Sequence, residues 1–156
     1  MIIYVGDTGN VVRRITGNHC SGNVEASKLR ESIAEAIGYG IKKTRRASGK
    51  TRKRIDLPKP IFGERAVSAY VASGHWQFVR CDSKEEANDF QWFVIATLKP
   101  ALNRESRPWK EALLDRFEIL LVQLQKENPC PKAQISSSAS WPGVYVFHHQ
   151  HLPPHA

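Results

Sequence analysis

The sequence IIYVG at residues 2–6 and the sequence GVYVF at residues 143–147 decide the fold. Each is a short run of β-branched and aromatic residues with a glycine at one end, a composition that predicts a strand. Turn-forming residues at 7–10 end the first strand, and a segment rich in Pro and Ser precedes the second. A third segment, HWQFVRC at residues 75–81, predicts a strand that is apolar on both faces.

Helical patterns fill much of the chain between these strands. Leu29, Ile33 and Ile37 recur every fourth residue, and Gly38 then ends that helix. Ser83 and Glu86 have the spacing of a capping box and predict the start of another helix. The predicted helices cover residues 11–19, 26–37, 84–98 and 107–127.

Two stretches carry no helical pattern of this kind. Residues 41–65 predict no long regular element, because Pro58 and Pro60 lie close together. Residues 66–72 are too short to assign. We therefore expect an α/β (α+β) domain with a small, mostly antiparallel sheet of about three strands flanked by helices. The expected core covers residues 1–128 and includes a basic insertion (38–65) and the helix 107–127. A linker over 129–142 and a strand segment over 143–156 are expected to follow it.

Length and composition limit the class of protein. The chain has 156 residues, of which 41% are hydrophobic and 24% charged, as in an ordinary globular domain. No apolar run approaches the roughly 20 residues of a membrane span, and the N-terminus does not resemble a signal peptide. Three cysteines with no CxxC pair favour a reducing compartment, so a cytoplasmic location is expected.

A block of positive charge is the first indication of function. The net charge is +8, and residues 42–54 contain eight basic side chains and no acid. Such a block favours binding of a polyanion such as a nucleic acid over a merely solvated loop, without distinguishing DNA from RNA. If all eight side chains contacted phosphates, the slope of log binding constant against log salt concentration would approach about −7. The eight are Lys42, Lys43, Arg45, Arg46, Lys50, Arg52, Lys53 and Arg54.

Three further polar residues stand out. Gln91 falls on the apolar stripe of the helix 84–98, where a core amide and a residue aimed into a site are both possible. Arg14 follows a turn after Gly6, and Asn103 follows the same helix at its end. Taken alone, Arg14 is an ordinary surface arginine and Asn103 an ordinary turn residue.

Together these segments resemble the GIY-YIG endonucleases. Tyr4-Val5-Gly6 matches the second half of the family signature, and Gly143-Val144-Tyr145 matches the first half at the opposite end of the chain. Arg14 stands eight residues after Gly6, as the family arginine does. The segments SKLR at 27–30, WQFVRC at 76–81 and LKPALN at 98–103 also resemble parts of the family.

The resemblance implies a circularly permuted domain. In the usual order GVYVF precedes IIYVG as two adjacent antiparallel strands joined by a loop, and here the chain is cut inside that loop. Exposed loops between neighbouring strands tolerate such permutation. The resemblance covers about residues 1–37, 75–104 and 141–147. The linker is long enough to return to the same molecule or to reach a second one, so the chain is expected to be a monomer or a strand-swapped homodimer.

The resemblance also implies metal-dependent hydrolysis of phosphodiester bonds. Tyr4 and Tyr145 would line the site, and one of them would orient or deprotonate the attacking water. Arg14 would hold the scissile phosphate. His19 would assist proton transfer, although its spacing does not match the family cleanly, and Asn103 would support the site by hydrogen bonding. A single Mg²⁺ or Mn²⁺ would polarise the phosphate.

Gln91 departs from the family pattern, which has a metal-binding glutamate at the matching position. A neutral amide oxygen is a poor substitute for a carboxylate as a Mg²⁺ ligand. A deliberate Glu→Gln exchange, a natural pseudo-nuclease, or an error of register in which Glu85, Glu86 or Asp89 serves instead would each explain it. The first two are favoured, since Glu86 fits a helix cap and Asp89 lies off the stripe.

The expected function is therefore a DNA endonuclease with impaired activity, acting on double-stranded or branched DNA without a membrane partner. A non-catalytic DNA-binding protein on the same fold is the main alternative, and an RNA-binding basic module is the third. The histidines near the C-terminus have a spacing that fits no tetrahedral zinc site.

Overall fold

The computed structural model describes all 156 residues and contains a three-stranded antiparallel sheet in the order β1–β5–β4. The strands are β1 (Ile2–Thr8), β4 (His75–Arg80) and β5 (Gly143–His148). The last strand of the chain is thus the central strand of the sheet, and it pairs with β1 so that Gly6 lies opposite Tyr145. The predicted α+β class and the predicted pairing of IIYVG with GVYVF are confirmed.

Four α-helices surround the sheet, and three of them correspond to predicted helices. They are α1 (Lys28–Ile37), α2 (Pro60–Ala72), α3 (Lys84–Leu98) and α4 (Leu114–Lys126). Ser27 and Ser83 cap α1 and α3 by accepting a backbone N–H, and Gly38 ends α1 with a φ of 115°. The helix predicted over 107–127 is shorter than expected, because only a 3₁₀ turn at Glu111–Leu113 precedes α4.

Residues 41–65, for which the sequence predicts no long regular element, contain a hairpin and the start of a helix. Ile41–Arg45 and Thr51–Ile55 form an antiparallel hairpin, β2 and β3, in which Ile41 lies opposite Ile55. The prolines do not prevent the helix that follows. Pro60 occupies the first turn of α2, where its missing N–H would have no helical partner in any case. The segment 66–72, left unassigned from the sequence, is the body of this helix.

The sheet separates two hydrophobic layers, and alternate residues of β5 face each of them. Tyr145 and Phe147 point toward α1 and α2, whereas Val144 and Val146 point toward α3 and α4. The segment predicted as a linker lies along the same molecule. Its Cys130 exchanges backbone hydrogen bonds with Trp76 of β4, and the buried Ala139 accepts a bond from the backbone of Val12. The sheet is therefore completed within one chain in this structure.

None of the helices combines the length and the apolar character that crossing a lipid bilayer requires.

Candidate active site and nucleic-acid interface

A buried chain of three polar side chains links the sheet to the first helices. The Tyr145 hydroxyl lies 2.6 Å from His19 Nε2, and His19 Nδ1 lies 2.6 Å from the Ser27 hydroxyl. All three residues are buried, and Ser27 also accepts the N–H of Arg30 as the cap of α1. The strand β5, the segment before α1 and α1 itself are thereby fixed to one another at this point.

The spacing of Arg14 and His19 follows from an unusual helix. Arg13–His19 is a π-helical segment, in which the Cys20 N–H donates to the Ile15 carbonyl five residues earlier. Residues five apart therefore lie on the same face, and Arg14 and His19 both approach Tyr145.

Burial sets the charge state of this cluster. It raises the pKa of Tyr145 well above its usual value. The pKa of His19 is held well below 6.5 by burial and by the positive charges of Arg14 and Arg30. Both side chains are consequently neutral at pH 7, and they exchange a hydrogen bond rather than a proton. The structure thus gives His19 a positioning contact with Tyr145.

Gly6 allows the ring of Tyr145 to cross β1. A Cβ built on Gly6 would lie 2.3 Å from the Tyr145 hydroxyl oxygen and 2.5 Å from its Cζ. No side chain fits there without moving the tyrosine, which is 1% exposed. The glycine after Tyr4-Val5 is therefore required by this close approach.

Tyr4 differs from Tyr145 in that its hydroxyl has no hydrogen-bond partner within the protein. The ring is 7% exposed and lines a pocket of about 290 Å³ together with Gln91 and Asn103. Burial raises the pKa of Tyr4 to about 12, an effect that nearby Arg14 opposes. Tyr4 thus presents a neutral hydroxyl that is free to bond water or a ligand.

Asn103 secures the outer edge of β1. Its Oδ1 accepts the Val5 N–H at 2.8 Å, and its Nδ2 donates to the Val5 carbonyl at 2.9 Å. The side-chain amide thus makes the two hydrogen bonds that a neighbouring strand would make, and this edge has no such strand. Because Val5 lies between Tyr4 and Gly6, Asn103 fixes the backbone that carries the site.

Gln91 faces the same pocket from α3. Its side chain is 8% exposed and makes no hydrogen bond within the protein. Glu86 instead caps α3 and pairs with Arg116, while Asp89 accepts the backbone N–H of Lys110. Neither of these acids lines the pocket, and neither does Glu85. Gln91 is therefore the α3 residue that brings a side-chain oxygen to the pocket of Tyr4.

The residues of the pocket do not fit a tightly bound Mg²⁺. Its one acidic side chain is Glu105, which is exposed and lies 3.5 Å from Arg107. Lys28 brings a positive charge to the same pocket. No group of three or more His, Cys, Asp or Glu side chains is placed to hold a metal ion. Because Mg²⁺ favours carboxylate oxygens, a pocket with amide oxygens, two cations and one exposed carboxylate that faces an arginine does not suit it.

The basic block forms the hairpin β2–β3 and not an irregular loop. Glu25 pairs with Arg46 at 2.8 Å and with Arg54 at 2.9 Å, and Glu31 pairs with Lys53 at 2.9 Å. These contacts lower the pKa of Glu25, with the Arg54 hydrogen bond as the largest cause. The other five basic side chains are exposed and have no ion-pair partner: Lys42, Lys43, Arg45, Lys50 and Arg52.

The hairpin lies beside the pocket of Tyr4. Glu31 contacts both Lys53 of the hairpin and Lys28, which lines that pocket. Lys53 of the hairpin and Lys28 of the pocket therefore lie on either side of one carboxylate.

Arg30, in the SKLR segment, has a structural role that its sequence does not indicate. The Arg30 guanidinium is fully buried, and its Nη1 donates to the His19 carbonyl at 2.9 Å. Its Nη2 lies 2.7 Å from the carboxylate of Glu64 on α2. A buried arginine cannot be identified from a single sequence, because exposed arginines on helices have the same local pattern.

Comparison of the chain with protein-family models, with curated proteins and with solved structures found no match.

Proposed function

We propose that this protein is a DNA endonuclease domain of GIY-YIG type whose hydrolytic step is impaired by Gln91. The proposal is carried by one observation: Tyr4, Tyr145, Arg14 and His19, drawn from opposite ends of the chain, meet around one buried cluster. Convergence of such residues beside a basic surface is the arrangement expected of a phosphodiester site. Three free cysteines agree with a reducing cytoplasm as its location.

Each residue has a role consistent with its contacts. Arg14 is half-buried, donates to the Ala26 carbonyl at 3.0 Å and retains further donors for a phosphate oxygen. The free hydroxyl of Tyr4 orients the attacking water. Tyr145 and His19, which are buried and bonded to each other, hold the geometry. Asn103 keeps β1 in place.

The hairpin supplies most of the affinity for DNA. Five of its basic side chains are free of acidic partners, so neutralisation of five phosphates would give a log–log salt slope of about −4.5. This slope is shallower than the value of about −7 for eight cations, because Arg46, Lys53 and Arg54 already pair with Glu25 or Glu31.

The experiment is to compare Mg²⁺-dependent nicking of a plasmid by this chain and by the Gln91→Glu variant. The substitution places a carboxylate beside Tyr4, and we expect cleavage to rise by at least tenfold. Gln125→Glu is the matched control, since Gln125 is exposed on α4 and gains the same charge away from the site. Adding Tyr4→Phe to the Gln91→Glu variant is expected to abolish the gain.

The alternative is a DNA-binding protein without catalysis, and the mismatch between the pocket and Mg²⁺ favours it. Binding of DNA without cleavage, both by the unchanged chain and by the Gln91→Glu variant, would support this alternative and contradict the endonuclease. Equal or tighter binding of RNA, unaffected by Arg14→Gln, would instead favour an RNA-binding module.

A further inference from the structure

A second pocket opens on the side of Arg14 that faces the turn after β1. It has a volume of about 640 Å³, and none of its nine lining residues is hydrophobic. Three of them are cations (Arg13, Arg14 and Lys84), and one is an anion, Asp7. The pocket therefore carries a local excess of two positive charges.

Three separate elements build this pocket. The end of β1 supplies Asp7 and the turn after it supplies Asn10. The π-helical segment supplies the two arginines, and the first residue of α3 is Lys84. The stem of Lys84 passes over Gly9, with its Cδ 3.7 Å from the position of a Cβ on that glycine. The positive end of the α3 dipole lies at the same place as the lysine.

The cations of this pocket differ from those that Glu25 and Glu31 neutralise. Arg13 and Lys84 have no carboxylate partner within the ion-pair distance of 4.0 Å. The one acid, Asp7, accepts a hydrogen bond from Asn88 at 3.3 Å. Unpaired cations together with amide donors suit an anion with several acceptor oxygens, as in a phosphate group. The same three cations would repel a metal ion from Asp7.

We propose that this pocket is a second phosphate subsite, which holds a backbone phosphate next to the one held by Arg14. Arg14 lines the pocket and also approaches Tyr145, and the charge of Asp7 acts on both tyrosines. A DNA strand bound in this pocket therefore continues toward Tyr4. The subsite fixes the position of the DNA strand, whereas the hairpin supplies general attraction. This inference rests on the proposed function.

The first test is binding of a fluorescent 20-base-pair DNA duplex by the Arg13→Gln/Lys84→Gln double variant at several KCl concentrations. We expect affinity to fall about tenfold or more and the salt slope to become shallower by about 2, one unit for each phosphate-contacting cation. Lys126→Gln/Lys132→Gln is the matched control, because it removes two exposed cations away from both pockets. The control is expected to change neither quantity appreciably.

The second test identifies the source of the phosphate by NMR of the ¹⁵N-labelled chain. The side-chain amide of Asn88 is expected to shift when DNA is added, and this shift should be lost in the double variant. Titration with inorganic phosphate at the same concentration of phosphate groups provides the comparison. The backbone subsite is supported if DNA shifts the Asn88 amide signal at a much lower concentration of phosphate groups than inorganic phosphate requires.

The outcomes separate this inference from the proposed function. If the double variant binds DNA as tightly as the unchanged chain, the subsite is refuted while the endonuclease proposal stands. If the unchanged chain does not bind DNA, the proposed function fails and the backbone subsite fails with it. A shift of Asn88 with inorganic phosphate but not with DNA would also overturn the subsite, and would assign the pocket to a small phosphate ester.

Discussion

The close approach of Gly6 to Tyr145 predicts that Gly6→Ala is strongly destabilising. The new methyl group would lie 2.3 Å from the tyrosine hydroxyl oxygen and 2.5 Å from Cζ, both far inside van der Waals contact. Tyr145 is 1% exposed and packed on all sides, so it cannot turn aside without disturbing its neighbours. Any movement of its hydroxyl also breaks the 2.6 Å contact with His19.

The size of the effect follows from three terms. Overpacking of a well-packed core costs about 1–3 kcal/mol. A buried nitrogen of His19 left without its partner costs about 1–3 kcal/mol more. Replacing glycine by alanine in a strand returns about 0.5–1 kcal/mol of backbone entropy. We therefore expect the free energy of unfolding to fall by about 3 kcal/mol.

Urea denaturation measures this loss. With an m-value of about 2 kcal/mol per molar, the midpoint is expected to fall by about 1.5 M. Gly17→Ala is the control, since a Cβ there meets nothing within 4 Å and the position is helical. That change is expected to stabilise by about 0.5–1 kcal/mol. A midpoint for Gly6→Ala within about 0.3 M of the unchanged chain would refute the argument that this contact constrains the strand.

Three further predictions follow from contacts in the site and the hairpin. Asn103→Ala removes both hydrogen bonds to Val5 and is expected to lower the free energy of unfolding by about 2 kcal/mol, with faster hydrogen exchange at the Val5 amide. His19 is neutral when folded but takes up a proton near pH 6.5 when unfolded, so stability should be full above that pH and should fall as the pH drops below it, by up to about 1.4 kcal/mol per pH unit. Urea midpoints between pH 4 and 8 test this, and His19→Gln should flatten the profile. Glu25→Gln frees both hairpin arginines that it pairs, so DNA affinity is expected to rise several-fold and the salt slope to steepen by about 1–2. The same change at Glu118, which is exposed on α4 and belongs to no ion pair, is expected to have a much smaller effect.

The strands and the tyrosines they carry could be predicted because their local pattern agrees with their environment. Tyr4 and Tyr145 stand in short β-branched runs, and both runs became strands of one sheet. The exact partner of His19 could not be predicted. The π-helical turn adds a residue that no periodicity of 3.6 would indicate, so the sequence alone does not place His19 beside Tyr145.

The hairpin could not be predicted because its sequence does not show the alternation of apolar and polar residues that is typical of a strand. Only Ile41 and Ile55 at its base are apolar, and Ile55 alone is buried. Every position between them in the strands is basic or threonine, so a flexible loop was the simpler interpretation. The pairing of its cations with Glu25 and Glu31 depends on tertiary contacts, and no single-sequence pattern contains that information.

The central position of β5 determines when the protein acquires its site during synthesis. Both edge strands, β1 and β4, leave the ribosome long before Gly143–His148 and have no common partner until that strand emerges. The pairing of β5 with β1 joins distant parts of the chain, and so does its pairing with β4. Formation of these pairings is therefore expected to be the slow step of folding. A nascent chain therefore exposes its basic hairpin before Tyr145 can join Tyr4. Under the proposed function, the growing chain can therefore attract nucleic acid before it can act on it.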